Sequence, residues 1–299
     1  MKTIITHPQF EYLNNDLCDN NSILDYSFNI FADWWPNIFL NDVKNKIEHK
    51  EITYIWDFSK REDFFQNYSL IRWICDYYAD KMRVIVPFFP VWTMERISKK
   101  WEIATAKYFA DILSTIPSWR KSKTSIHIFD IHNLSERFFF DSNKLNVELH
   151  TAIDLIKQKI DKNTVIVFPD EWAKKRFWED FLDYEVVYCT KKRVWDKREI
   201  SVESDDLSWR EVIIIDDLIQ SWWTIIQTSI ALKKMWVTKV SAFATHWVFP
   251  NSSHIIISSY LDKLYVTYTI PENHNRKNDV FNMEILSIKD LILKIINHE

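Results

Sequence analysis

No glycine occurs anywhere in the 299 residues, while tryptophan occurs 15 times. At the usual share of about 7%, a chain of this length would hold roughly 21 glycines. Glycine is the residue that reaches φ > 0 without steric cost, so its absence restricts every tight turn the backbone must make. Many tryptophans stand where turn chemistry asks for glycine: Trp236 just past Lys233 and Lys234, Trp209 between Ser208 and Arg210, Trp101 after Lys99 and Lys100, and Trp34 after Asp33. Helix exits and turns at such places call for a left-handed residue, and a bulky side chain there is an outlier. We read most of these tryptophans as standing for glycines, by substitution or through a codon read with the wrong table.

The most patterned stretch runs from Glu211 to Thr224. Val212 to Ile215 are four consecutive β-branched residues, read as a buried strand, followed by Asp216 and Asp217 and a polar loop. Thr224 to Met235 then predicts a helix with Lys233 and Lys234 in its last turn. Strand, acidic pair, loop and helix in that order suit a phosphorylated, hydroxylated ligand. The helix start attracts phosphate and the carboxylates hold hydroxyls or a metal. Trp222 and Trp223 occupy the loop places where φ > 0 and close backbone approach are expected.

The chain alternates predicted strands and helices throughout, which indicates α/β architecture. Strands are expected at Ile52–Ile55, Val84–Phe89 and Ser125–Phe129, with helices at Asn67–Asp80 and Glu102–Leu113. After the polar turn Asp141–Lys144, a helix is expected from Asn146. Further strands follow at Val165–Phe168, Glu185–Tyr188, Val212–Ile215, Lys239–Ala244 and Leu264–Tyr268. Asn273–Asp279 reads as a polar loop and Ile288–Ile296 as a closing helix. The expected division is 1–143 and 144–299, with the last helix, about 286–299, packing on the first domain.

A net charge of -4 with dispersed Lys and Arg gives no basic field for nucleic acid. No apolar run reaches the length of a membrane span, and the polar start is too short for a secretory signal. Cys18, Cys75 and Cys189 are few and odd in number, which suits a reducing compartment, and a cytoplasmic location is expected.

Three other strand-end segments could carry chemistry. Asp130 and His132 lie two residues apart after Ser125–Phe129; a lone His is more often structural. Asp170 and Glu171 follow Val165–Phe168 and open a basic helix, either an anion cradle or a plain helix cap. Thr190 to Arg198 holds five cations in nine residues, a solvated surface loop or a flap over a polyphosphate.

These segments, in order FADWWPNIFLND, PFFPVWTMER, WEIATAKYFADILSTIPS, FDIHNLSERFFF, FPDEWAKKRF, CTKKRVWDKR, VIIIDDLIQSWWTI, THWVFPNSS and MEILS, run from Phe31 almost to the end of the chain. In them the chain resembles ribose-phosphate pyrophosphokinases (PRPP synthetases), within them the class II, plant-type branch. At matched tryptophans 92, 101, 172, 195, 222, 223, 236 and 247 the family pattern has glycine, whereas Trp35 fits as a true aromatic. The resemblance implies two phosphoribosyltransferase-type domains, each a mainly parallel sheet flanked by helices, with the active site between them and the ATP site shared with a neighbouring subunit of a homo-oligomer.

It also implies a ribose-phosphate diphosphokinase that moves pyrophosphate from ATP to ribose 5-phosphate with Mg2+, giving PRPP and AMP. Asp216 and Asp217 are then expected at the ribose hydroxyls, and Gln220, Ser221, Trp222, Trp223 and Thr224 at the 5-phosphate. Asp170 would orient ribose and a magnesium, and His132 would be a ligand at the metal-ATP site. Lys191 and Arg193 would stabilise the transferring group, Phe31 and Asp33 would line a partner's adenine pocket, and Arg96 would contact ATP. Thr93 and Met94 replace an Arg-Gln pair of the class I pattern, which implies looser triphosphate choice. A catalytically silent PRPP synthetase-like regulatory subunit and a type I phosphoribosyltransferase are the rival readings.

Overall fold

The computed structural model describes residues 2–76, 79–91, 94–118, 122–194, 197–204, 206–220 and 222–297. These form two compact units, one of residues 1–150 with 289–299 and one of residues 151–288.

The first unit is built on six strands: β1 (Lys2–Thr6), β2 (Asn21–Ile23), β5 (Glu51–Ile55), β6 (Lys81–Val86), β7 (Thr124–Phe129) and β8 (Leu145–His150), between which a hairpin of β3 (Tyr26–Ile30) and β4 (Pro36–Leu40) is inserted. The six pair in the order β2-β1-β5-β6-β7-β8, every pair parallel. Parallel strands need crossovers, and the helices Phe64–Asp76 and Thr105–Leu113 supply two of them. Ile4, Ile5, Ile52, Ile55, Ile85, Ile126 and Ile128 are all buried, as expected when a sheet is covered on both faces. The closing helix Lys289–Asn297 belongs to this unit, and Lys2 Nζ donates to its Ile296 carbonyl at 2.5 Å.

The second unit holds β9 (Val165–Phe168), β10 (Val186–Val194), β11 (Lys197–Glu203), β12 (Glu211–Ile219), β13 (Lys239–Trp247), β14 (Lys263–Thr267) and β15 (Met283–Leu286). Their order is β11-β10-β9-β12-β13-β14-β15, parallel except for the β10–β11 hairpin. The chain runs outward from β9 in one direction and from β12 in the other. The crevice between them is therefore the switch point, where open α/β sheets place ligands.

Several expectations need correction. Asn146 does not start a helix: Leu145–His150 is the edge strand of the first sheet, and only Ile153–Lys157 is helical. Leu145 and Val147 are buried while Asn146 and Glu148 are exposed, a two-residue period that favours a strand. Thr190–Arg198 is not a loop but lies in the β10–β11 hairpin, with Lys191 opposite Ile200 and Arg193 opposite Arg198. β12 continues to Ile219, so Asp216 and Asp217 lie within the strand rather than after it. β6 ends at Val86 because Pro87 cannot donate to a ladder. Asn273–Asp279 is part of a 3-10 helix, Pro271–Asp279.

The turns bear directly on the glycine question. Trp34, Trp101, Trp209 and Trp236 have φ of 68°, 72°, 64° and 60°, the left-handed region. Their side chains are 85%, 86%, 80% and 76% exposed, so packing does not compensate the backbone cost. That cost is about 1–2 kcal/mol per residue. Trp209 N–H donates to the Trp236 carbonyl at 3.0 Å, and Thr238 N–H returns a bond to the Arg210 carbonyl at 2.9 Å, so two of the four residues clamp the entries to β12 and β13 together. Trp247 differs, being fully buried with its Nε1–H donated to the Thr267 carbonyl at 2.7 Å.

Replacing Trp209 or Trp236 by glycine should raise the stability of this chain by about 1 kcal/mol each, the strain relieved less the glycine entropy. Urea denaturation reads this as a higher midpoint, and an unchanged or lower midpoint would show that the indoles carry stabilising contacts.

Candidate active site

The second unit gathers carboxylates at its switch point. β9 ends at Phe168 and, after Pro169, Asp170 sits in an extended conformation (φ -162°) capping the helix Glu171–Phe177. Its Oδ1 accepts from Trp172 N–H at 3.0 Å and Ala173 N–H at 3.1 Å. The capping reading of Asp170 is therefore correct, and it fixes the carboxylate at the end of β9.

Beside it, β12 pairs with β9 through Val212–Ile214 and carries Asp216 and Asp217 onward. Asp217 is 6% exposed, and its N–H donates to Asp216 Oδ1 at 3.0 Å. Asp216 keeps part of its surface exposed, yet the protein packed around it removes most of its hydration. This desolvation, with the negative charges of Asp217 and Asp170 behind it, holds the Asp216 carboxyl well above the usual carboxylate range. Three acids thus meet at one switch point, two on β12 and one at the helix cap that follows the adjacent β9. A cation, or the hydroxyls of a sugar, would lower their energy.

The phosphate side of the site is built from the next residues. Gln220 is exposed at the bend after β12, and Ser221 lies outside the described residues. The helix begins at Trp222, two residues earlier than expected, and runs to Lys233. Trp223 is thus helical and not left-handed, a correction to the idea that it fills a φ > 0 place. The side chain of Trp222 lies outside the described residues; Trp223 is 46% exposed and Thr224 half-buried. A helix start of this length directs unpaired backbone N–H groups and a partial positive charge outward, which suits an anion. Trp172, likewise helical, is 51% exposed under Lys175 Nζ at 5.5 Å. At 172 and 223, then, glycine would matter for close ligand approach rather than for φ.

Lys191 and Arg193 lie on β10, the strand next to β9, with side chains outside the described residues. On the same side of the sheet order, Lys174 Nζ stands 3.8 Å over the Tyr188 ring of β10.

The first unit carries the remaining expected residues. Phe31 and Asp33 sit at the tip of the β3–β4 hairpin, where Trp34 N–H donates to the Phe31 carbonyl and Trp35 N–H to Asp33 Oδ1. Phe31 is 54% exposed, beside exposed Ile30, Trp34 and Trp35, so the tip presents apolar surface outward. Arg96 Nε pairs with Glu95 at 2.7 Å. Half-buried His132 follows β7, just before the capping box of Asn133 and Glu136 on Leu134–Phe139.

Asp130, paired with His132 in the sequence, is fully buried with φ 35°, and its N–H donates to the His150 carbonyl at 2.8 Å. Such burial and left-handed backbone strain are not revealed by the residue spacing alone.

Comparison with known proteins gives a consistent result. A family model described as phosphoribosyl synthetase-associated domain matches residues 186–298. Ribose-phosphate pyrophosphokinase 4 of Oryza sativa subsp. japonica is 33% identical over 271 residues, 86% of this chain and 83% of that protein. The mitochondrial ribose-phosphate pyrophosphokinase 3 of Spinacia oleracea is 36% identical over 232 residues, 76% of this chain and 57% of that protein. The chain spans 55% to 58% of the length of three plant relatives of that type. The crystal structure of phosphoribosylpyrophosphate synthetase from Mycobacterium smegmatis shares the fold, with a TM-score of 0.82, 17% identity, and 99% and 98% of the two chains covered.

The raised Asp216 carboxyl sets a pH dependence. In the unfolded chain an Asp ionises near pH 3.9, whereas the native state keeps this proton to higher pH. The contribution of this group to native stability is thus greatest below that value and is lost as pH rises towards the folded pKa. In divalent-free buffer, Asp216→Asn should flatten the loss of urea stability between mildly acidic and neutral pH. If variant and parent lose stability in parallel, Asp216 does not titrate in this way.

Proposed function

The chain belongs to the ribose-phosphate pyrophosphokinase family, and from that premise we propose that it transfers the pyrophosphoryl group of ATP to ribose 5-phosphate, giving PRPP and AMP. The observation that carries this reading is the meeting at the switch point of Asp216 and Asp217 on β12 with Asp170 at the helix cap after the adjacent β9, β12 leading on to a further helix start. A sugar phosphate needs hydroxyl acceptors and an anion site side by side, and this arrangement supplies both.

In the proposed complex Asp216 and Asp217 accept the ribose hydroxyls. The N-terminus of Trp222–Lys233, with Gln220, Ser221 and Thr224, holds the 5-phosphate. Asp170 orients the ribose and, with the other carboxylates, suits Mg2+, because clustered hard oxygen donors are what that ion takes. When bound, Mg2+ would neutralise triphosphate charge and orient the transferring group. Lys191 and Arg193 stabilise the group in transfer, His132 and Arg96 act on the triphosphate side, and Phe31 and Asp33 form the adenine pocket of a partner subunit in a homo-oligomer. The chemistry is positioning and charge neutralisation, without a covalent intermediate.

Glycine is the residue we propose for the native protein at most tryptophan positions. The four exposed indoles at φ 60° to 72° support this, as does the steric demand of a phosphate at 172, 222 and 223. An intact mass of the protein from its native gene and host that matches the written sequence would overturn it.

An AMP-release assay with ribose 5-phosphate, Mg2+ and ATP tests the function. Activity is expected when glycine replaces Trp172, Trp222 and Trp223, and not from the chain as written. Equal inactivity of both folded proteins would favour a silent regulatory subunit. In the active form Lys191→Ala should depress kcat far more than ribose 5-phosphate affinity, since the contact is made in the transition state. An unchanged kcat would remove Lys191 from the mechanism.

A further inference from the structure

The edge of the first sheet brings together a second set of donors unconnected with the proposed chemistry. His127 on β7 and Glu148 on β8 are register partners, and His150 is the last residue of β8. Residues 148 and 150 share a face of the extended strand, as period two requires. His127 Nδ1 lies 2.9 Å from His150 Nε2 and 3.6 Å from Glu148 Oε2, and the three donor atoms fall within 4.8 Å of one another. The two rings stack at 5.1 Å, 19° from parallel.

We propose that His127, Glu148 and His150 hold a divalent transition cation of the zinc class, tying the edge strand β8 to β7.

The spacing supports this. Tetrahedral zinc with ligands at about 2.0–2.2 Å separates its donor atoms by about 3.3–3.6 Å; the His127–His150 and His127–Glu148 separations of 2.9 and 3.6 Å bracket that range, and the exposed Glu148 side chain, within 4.8 Å of both rings' donors, can close on the ion. Two imidazoles and one carboxylate form a borderline set that favours zinc over magnesium. The outer contact is also in place: the other ring nitrogen of His127, Nε2, lies 3.1 Å from Ser125 Oγ. Donation of Nε2–H to that hydroxyl leaves Nδ1 as a lone-pair donor facing His150 Nε2, the tautomer a ligand needs, and an ion would part the two nitrogens from 2.9 Å. Burial pushes the His127 imidazole down to about 3, with His150, Arg83 and Lys81 adding to the effect, so the ring is neutral. Glu148 supplies the charge that offsets the nearby cations, and its exposed carboxylate leaves a path for the ion. The bond from Asp130 N–H to the His150 carbonyl connects the site to the loop that carries His132.

The rival arrangement is a hydrogen bond between two neutral imidazoles with no ion, and titration separates the two. The full chain, with Cys18→Ser to remove the exposed thiol, is stripped of metal and titrated with Zn2+ in excess Mg2+, by calorimetry and by the visible spectrum of Co2+. One equivalent should bind with a tetrahedral Co2+ spectrum and a raised thermal midpoint. His150→Gln, a half-buried position that should still fold, should weaken binding more than about tenfold, and Asp216→Asn should leave it unchanged. No binding, equal binding by His150→Gln, or loss in Asp216→Asn alone would each overturn the proposal. Because Mg2+ is present throughout and catalysis is not read, the outcome is independent of the proposed function.

Discussion

The second unit depends on where its backbone turns left-handed. A parallel sheet has to bring the chain back to the start of each new strand after every crossover helix, and a short return is commonly made with one residue at φ > 0. Here Trp209 and Trp236 make that turn before β12 and β13, and one backbone hydrogen bond joins them. β12 and β13 then pair without a slip from Glu211 opposite Lys239 to Ile219 opposite Trp247. A shift at the clamp would move the register and with it Asp216, Asp217 and the start of the following helix. The position of the acidic pair is thus set by turns at the opposite end of the strand, at sites where tryptophan is the least suited occupant and glycine the best.

At the other end of β12 the constraint is electrostatic. Val212 to Ile215 are essentially inaccessible, and the strand continues without a break through Asp216 and Asp217. A carboxylate carried into such surroundings either keeps its proton or waits for positive charge. Asp216 has two acidic neighbours and desolvating surroundings, so folding alone leaves it poorly satisfied. Sites that bind ligands tend to be the places where a chain departs from its own best packing. Asp170 shows the complementary case: two backbone N–H groups at a helix start fix its position. One carboxylate is held by two backbone donors and the other is desolvated beside acidic neighbours, so the difference comes from surroundings, not from residue type.

Runs of β-branched residues made the core strands legible: Val165–Phe168 and the start of β12 need no tertiary information to be recognised. Strand ends were less legible because polar residues continue the ladder. Asp216 and Asp217 looked like a loop since acids are rare in strands, yet pairing with β13 carries the strand past them. The same bias hid the β10–β11 hairpin, whose Lys and Arg read as solvated coil, and made Asn146–His150 look helical despite its alternation. The candidate site residues, Asp130 among them, are visible through strand-end position and resemblance. The left-handed backbone and full burial of Asp130 are not, because they are properties of the fold.

The tryptophans divide by environment in a way composition could not show. Trp34, Trp101, Trp209 and Trp236 are left-handed and exposed, Trp172 and Trp223 lie in the first turns of the helices that follow β9 and β12, and Trp247 is buried and hydrogen-bonded. A genuine increase in tryptophan would be expected to fill core and interface, where large aromatics bury the most surface. Instead the left-handed positions carry the indoles with the greatest exposure, an arrangement that gains little burial and pays backbone strain. Glycine removes both difficulties at the turns, reaching φ of 60° to 72° without a Cβ and exposing no indole. Trp172 and Trp223, with helical backbone, offer no such argument from strain, so the steric misfit belongs to the turns alone.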